Sequence, residues 1–344
     1  MKPFFLLYLI IATLLLGGCS NGKEGESDSL APLLGIIDTP TLDLSNPERS
    51  SQQIILLTAI YVDGTSGNDN FQGTRTAPYR SITKAASVAT KHSLIYVAPG
   101  QYYDREKFPI KLPDGVALIG NEGGKGNINS FLSPYRGRYE NHPNTGPTSI
   151  RFNHNSGDDA AFEVGNNTII AGFDLPNPIK LTTYGVQIRN NTISKGIYIS
   201  DLTYHSGGHT ISGNFIGAKE APNYNHLVGI FFDRTTHFSK VEYNTIYRNK
   251  YGVVIRPDAL ADLGGGELGS KGHNIISCSK EMDLVFQLEK GKRLFAQNTK
   301  WDHNVPTYST SSTSYPPPGI DIYAPPPTGT MDIFGYSLAP NACD

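Results

Sequence analysis

Short alternations of apolar and polar residues run through the middle of the chain, and each is tied to an asparagine. Asn167, Asn191, Asn214, Asn244, Asn274 and Asn298 follow one another at separations of 24, 23, 30, 30 and 24 residues. Two positions after each stands Ile169, Ile193, Ile216, Ile246 or Ile276, with Lys300 as the exception. Three positions before stands Val164, Ile188, Ile211, Val241 or Phe295, with Lys271 as the exception. A phrase that returns at roughly 20 to 50 residues marks a repeat architecture.

Three solenoids compete for this pattern. A leucine-rich repeat needs Leu eight positions before the Asn, where this chain has Asp159, Thr183, Ser206 and Thr236. Helical repeats are disfavoured by the density of β-branched residues, Gly and Asn. A single-stranded parallel β-helix fits: each coil is strand, bend, strand. The asparagines suit bends that need a left-handed backbone, and their amides can hydrogen-bond from coil to coil. Apolar runs beginning at Gly185, Gly196, Gly229 and Gly252 predict further strands.

An open coil exposes core and strand edges, so the ends need covers. Ser81 to His92 supplies one, a short helix with Ser81 as N-cap and Ile82, Ala85, Ala86 and Ala89 on one face. At the other end the proline-rich stretch YPPPGIDIYAPPPTG is expected to stop the central strands.

YVDGTSGNDNFQGTRTAPYRSITKAASVA (61–89), IYVAPGQY (95–102) and FPIKLPDGVALIG (108–120) closely resemble the opening of an uncharacterised bacterial family of the pectin-lyase-like superfamily. DLGGGELGSKGHNII (262–276) and AQNTKWDHNVP (296–306) extend the resemblance. It implies an all-β, right-handed parallel β-helix and says little about chemistry.

Charge is nearly balanced, 29 basic against 31 acidic residues, so there is no electrostatic footprint for nucleic acid. The N-terminus carries Lys2, an apolar run from Phe4 to Leu16, then Gly17, Gly18 and Cys19. That is a secretory signal. Its end resembles a bacterial lipobox, which implies lipidation of Cys19 and an anchor in the membrane rather than a span. Ser20, where Asp would direct otherwise, implies the outer membrane by the same resemblance. The expected organisation is a signal peptide over 1–18, a flexible tether over 19–57, the β-helix over 58–306 and a proline-rich cap or tail over 307–344. Cys278 and Cys343 are free to pair in an oxidising compartment, although the sequence does not fix their distance.

Candidate chemistry follows the superfamily, whose lyases use Asp-bound calcium with a basic residue and whose hydrolases use paired carboxylates. GDD (157–159), GGH (207–209) and RNK (248–250) stand in the order of a galacturonan-hydrolase signature, but the first two lie two coils apart, where that signature needs one. For catalysis the candidates are Asp233, Arg234, Arg256 and Asp258. Asp233 and Arg256 end strand-like runs 23 residues apart, which makes them neighbours across coils. Asp201, Tyr204, His205 and Tyr224 are candidates for substrate binding, with Tyr198 and Tyr247 as further rings for sugar stacking. The extra residues of the two 30-residue coils, 219–226 and part of 257–272, are expected to wall a groove beside this cluster. Asp63 and Asp69, in an oxygen-rich turn, are candidates for calcium, against the plainer role of holding that turn.

The expected function is a monomeric, membrane-anchored β-helix that binds or scaffolds polysaccharide. The alternatives are a lyase or hydrolase of acidic polysaccharide and an adhesive surface protein.

Overall fold

The computed structural model describes residues 58–121, 146–151, 160–200, 206–218, 228–311, 316–326, 329–340 and Cys343. Contacts divide the chain into Met1–Leu34 and Gly35–Asp344, and every described residue lies in the second unit. The signal and the whole tether over 19–57, Cys19 included, lie outside the described residues, as do Asp201, Tyr204, His205 and Tyr224.

Three parallel sheets form the walls of a right-handed β-helix. The first sheet has ten strands, from Thr58–Val62 to Thr330–Asp332. The second has nine, from Gly100–Tyr102 to Ser337–Leu338, and the third has seven, beginning at Ile179–Leu181. One coil shows the path. Ile179–Leu181 lies in the third sheet, Gln187–Arg189 in the first and Thr192–Ile193 in the second, and Ile197–Ser200 then returns to pair beside Ile179–Leu181. The core is built rung on rung. Ile193, Ile216, Ile246 and Ile276 stack in register along the second sheet, all fully buried. Ile188, Ile211 and Val241 do the same along the first. Each such side chain contributes about 1.5–3 kcal/mol by leaving water.

The corner between the first and second sheets carries the asparagine ladder. Asn191 donates its backbone N–H (3.0 Å) and its Nδ2 (3.1 Å) to Asn214 Oδ1. Asn214 does the same to Asn244, and Asn244 to Asn274. Every Nδ2 also reaches a main-chain carbonyl, of Ile170, Ile188, Ile211 or Val241. The bends do need a left-handed residue, but it is the one before: Asn190, Gly213, Tyr243 and His273 have φ of 51°, 64°, 59° and 53°. The ladder position is chosen for its side chain rather than for its backbone.

Asn167 and Asn298 do not belong to this ladder. Asn167 bends the chain at another corner, entering the first sheet, and its own coil fills the ladder position with Phe173, whose N–H donates to Asn191 Oδ1 at 3.0 Å. Asn298 is one residue early. Ile275 pairs with Lys300, so Thr299 occupies the ladder position and Asn298, with φ of 58°, the bend before it. This shift explains Lys300, because the inward residue of that rung is Trp301, which is fully buried.

The helix Ile82–Val88 (α1) is capped by Ser81, whose side chain accepts from the Lys84 N–H. Glu106 accepts from the N–H groups of Ile82 and Thr83 at 2.8 and 2.7 Å. Ile82, Ala85 and Ala86 face inward, and α1 packs on Thr58–Val62 and Ile110–Leu112.

The tail departs from expectation. Ile320–Tyr323 pairs with Met282–Phe286, Thr330–Asp332 with Arg293–Phe295, and Ser337–Leu338 with Lys300–Trp301. The tail therefore makes one more coil, with its described prolines placed outside these strands. A disulfide joins Cys343 to Cys278, 65 residues earlier, with Cα atoms 5.1 Å apart.

Candidate functional site

Asp233, Arg234, Arg256 and Asp258 lie at the corner where the third sheet passes into the first. Ser200 pairs with Asp233, and Phe232 with Ile255, so Asp233 and Arg256 occupy matching positions on adjacent coils. The Arg256 N–H donates to the Phe232 carbonyl at 3.0 Å. No ion pair joins the two side chains among the described residues. Asp233 is held by its own neighbour: Arg234 donates Nε (3.1 Å) and Nη2 (2.9 Å) to Asp233 Oδ2, and Ser200 Oγ donates to the same oxygen at 3.3 Å. Asp258 uses its carbonyl to accept from Thr235 N–H, while its side chain is exposed. The corner therefore holds a local Asp–Arg pair with a second arginine and a second carboxylate exposed beside it.

The insertions do not both wall this corner. Residues 219–226 lie outside the described residues. Most of 257–272 belongs to the corner between the first and second sheets, after Ala261–Asp262. There it folds around a buried carboxylate. Asp262 accepts four main-chain N–H groups, from Gly264 and Gly266 on Oδ1 and from Leu268 and Ser270 on Oδ2. The acid ties the loop down because a buried carboxylate needs its lone pairs filled.

The hydrolase-like fragments separate as well. His209 is fully buried, and its Nδ1 accepts from the Val186 N–H at 3.1 Å. Burial pushes its pKa down to about 4, so it is a neutral packing residue. Asp158 and Asp159 lie outside the described residues. The calcium candidates hold a turn: Asp63 accepts from the N–H of Thr65 and Ser66 and from the Ser66 hydroxyl. Asp69 accepts from the N–H of Arg80 and Ser81 and from Ser81 Oγ, which places the N-cap of α1. Neither belongs to a group of three or more ligating side chains among the described residues.

The outward face of the third sheet is apolar and partly aromatic. Lys180, Tyr198, Phe231, Val254, Val285 and Tyr323 stand in register on successive coils. Their strand neighbours Ile197, Ile199, Ile230, Phe232, Val253 and Ile255 point inward and are fully buried. The Tyr198 and Phe231 rings lie 6.1 Å apart, and Tyr251 flanks the stripe with Lys250 Nζ 5.4 Å from its ring centre. Met282, Val285 and Tyr323 continue it as a buried cluster packed with Tyr251 and Val254. Of these rings only Tyr198 stood out in the sequence. The usable signal was the unbroken apolar runs IFF, GVVI and LVF, which leave apolar side chains on both faces of a strand.

A cleft of about 380 Å³ opens where the chain enters the first sheet, lined by Phe238, Leu260, Leu288, Lys292, Arg293 and Phe295. Its cations are engaged, Lys292 with Glu289 and Arg293 with Asp332.

No curated protein matches the chain. Among solved structures it is similar to one described as "Crystal structure of pectate lyase Pel9A", at 12% identity and a TM-score of 0.38, covering 82% of this chain and 78% of that one. It is also similar to a "Rhamnogalacturonan lyase" at 11% identity and a TM-score of 0.29, covering 82% and 87%. Over residues 65–308, from the turn that feeds α1 to the strand after the last ladder rung, the chain belongs to the family described as "Protein of unknown function (DUF1565)".

Proposed function

We propose that this protein is an exported lipoprotein, anchored through Cys19, whose β-helix binds polysaccharide along the outward face of its third sheet. The observation that carries the reading is the in-register stripe of Tyr198, Phe231 and Val254, with Tyr251 beside it. Sugar rings present flat C–H faces that pack on aromatic rings, and a stripe that climbs one coil per side chain suits an extended polymer. Lys180 at one end, and Asp233 with Arg234 and Arg256 at the corner, supply charge for uronate or hydroxyl groups.

The test is retention of the purified chain on immobilised uronic-acid polymers and neutral glucans. Tyr198→Ala and Phe231→Ala are expected to weaken retention about tenfold each, a loss of about 1.4 kcal/mol. Retention unchanged in both variants would sink the proposed face. In the same preparations the wild-type protein should fractionate with membranes and Cys19→Ala with the soluble fraction. Soluble wild-type protein would remove the anchor from the proposal.

The matching positions of Asp233 and Arg256, each just past the paired Phe232 and Ile255, favour a second reading, cleavage of an acidic polysaccharide. It requires new unsaturated or reducing ends that vanish in Arg256→Ala. Binding without such ends leaves the binding reading alone.

A further inference from the structure

One column of the third sheet changes character along the coils. In register it reads Gly196, Gly229, Gly252, Asp283, Asp321. The glycines are there for space: a Cβ on Gly229 would lie 2.6 Å from Ile246 Cγ2, and one on Gly252 2.6 Å from Ile276 Cγ2. The column thus faces the interior, at the corner between the second and third sheets. In the last two coils it carries carboxylates, and these are 2% and 1% exposed. Asp302, from the same corner, joins them, and an oxygen from each of the three lies within 4.8 Å of the others.

Three carboxylates at this separation, two of them buried, repel strongly in a medium that screens poorly. Protein groups answer only part of the charge. Asp321 is well supplied: its Oδ2 meets Thr307 N–H (2.6 Å), Thr307 Oγ (2.7 Å) and His303 Nδ1 (2.9 Å), and its Oδ1 accepts from Asp302 N–H. Asp302 accepts the Cys278 N–H with both oxygens. Asp283 accepts the Ser279 N–H on Oδ1 at 3.2 Å, while its Oδ2 is buried with no donor at hydrogen-bond distance. The Ser279 hydroxyl, on a residue 8% exposed, and the Asp302 carboxyl are polar groups near enough to act on its charge. No lysine or arginine pairs with the three acids among the described residues, and a single His303 cannot balance them.

We propose that Asp283, Asp302 and Asp321 bind one calcium ion, which clamps the last coil to the one before it. The donors are hard oxygens, and the two nearby sulfurs are consumed in the disulfide, so a thiolate-loving metal is not favoured. Three carboxylates and a hydroxyl in an irregular corner suit calcium, which accepts six to eight oxygens in flexible geometry, better than magnesium, which demands an octahedron. Asp283 and Asp302 are both pushed above the usual carboxylate range, first by burial and then, for Asp283, by Asp302. The competing arrangement is a proton shared between those two acids. The clamp does not depend on the polysaccharide reading.

The experiment uses the purified full-length chain with its disulfide intact, stripped with EGTA. Equilibrium dialysis against calcium chloride should recover one calcium per chain. Calcium at about one hundredfold above Kd should raise Tm by roughly 5 °C over EGTA. Asp283→Asn should bind no calcium, and its Tm should be the same in calcium and EGTA. Asp302→Asn, on a more exposed residue, provides the same comparison if the first variant fails to fold. Absence of bound calcium on the wild-type protein at millimolar concentration would overturn the clamp. So would calcium binding undiminished in both variants, and equal stabilisation by magnesium would overturn the choice of ion.

Discussion

At the scale of single residues, the ladder separates two uses of asparagine that look identical in sequence. Asn214 works through its side chain. Its Nδ2 reaches Asn244 Oδ1 and the Ile188 and Ser212 carbonyls, while its Oδ1 receives the N–H and Nδ2 of Asn191. Asn298 works chiefly through its backbone, at φ of 58°, its side chain making one exposed bond from Nδ2 to the Lys271 carbonyl at 3.2 Å. Asn214→Ala would strand two buried donors of Asn191, at about 1–3 kcal/mol each. A loss of roughly 3 kcal/mol is expected, read as a lower urea midpoint at unchanged slope. Asn214→Gly should cost as much, whereas Asn298→Gly should cost less than about 1 kcal/mol because glycine accepts a left-handed bend. Equal losses for the two glycine variants would contradict this division. The sequence displayed the repeat but could not assign these roles, since a shift of one residue at Thr299 leaves the spacing of asparagines almost unchanged.

At the scale of elements, what was legible and what was not have separate physical causes. α1 was legible because its cap and its stripe are both local, within Ser81 to Ala89. The strands bordering the asparagines were legible because the apolar positions repeat with the coil. The tail was misread because proline's effect was spread over the whole stretch, whereas it applies residue by residue. Between the prolines, Ile320–Tyr323 is free to pair along Met282–Phe286. The Asp283, Asp302, Asp321 cluster was invisible because its members come from two strands of the third sheet and a corner, 19 residues or more apart in sequence, and only coil register brings them together. The outward stripe was hidden because strands with apolar residues on both faces do not alternate. The added coil also makes a prediction. It is secured by the Cys278–Cys343 bridge across 65 residues, and neighbouring coils of a solenoid can open separately from the rest. In Cys343→Ser the backbone N–H groups of Ile322, Ala324 and Thr330, all bonded within or to the last coil, should exchange faster by a factor of about 100 or more. The N–H of Ile275, in the ladder region, should keep its protection. A uniform loss at all four sites would show that the bridge stabilises the domain as one unit instead.

At the scale of the whole repeat, the architecture makes stability a sum over adjacent rungs, because most packing is between a coil and its two neighbours. Ile193, Ile216, Ile246 and Ile276 provide a ruler for this, one per rung on the second sheet and all fully buried. Truncating any of them to Ala removes three methyl or methylene groups and leaves a void, at about 2–5 kcal/mol. Adjacent rungs stand about 4.8 Å apart, so the voids of Ile216→Ala and Ile246→Ala share a wall, and relaxation around one changes the cost of the other. Their double variant should depart from additivity by roughly 0.5–3 kcal/mol. Ile193 and Ile276 are three rungs apart, roughly 14 Å by the same spacing, with the Ile216 and Ile246 side chains between them. Their double variant should be additive within about 0.5 kcal/mol. Urea denaturation of the four single and two double variants decides it. Coupling of the same size for both pairs would mean that strain travels along the whole core. The column of coils would then behave as one cooperative block, and substitutions on the Tyr198 stripe would be felt at the terminal acidic corner.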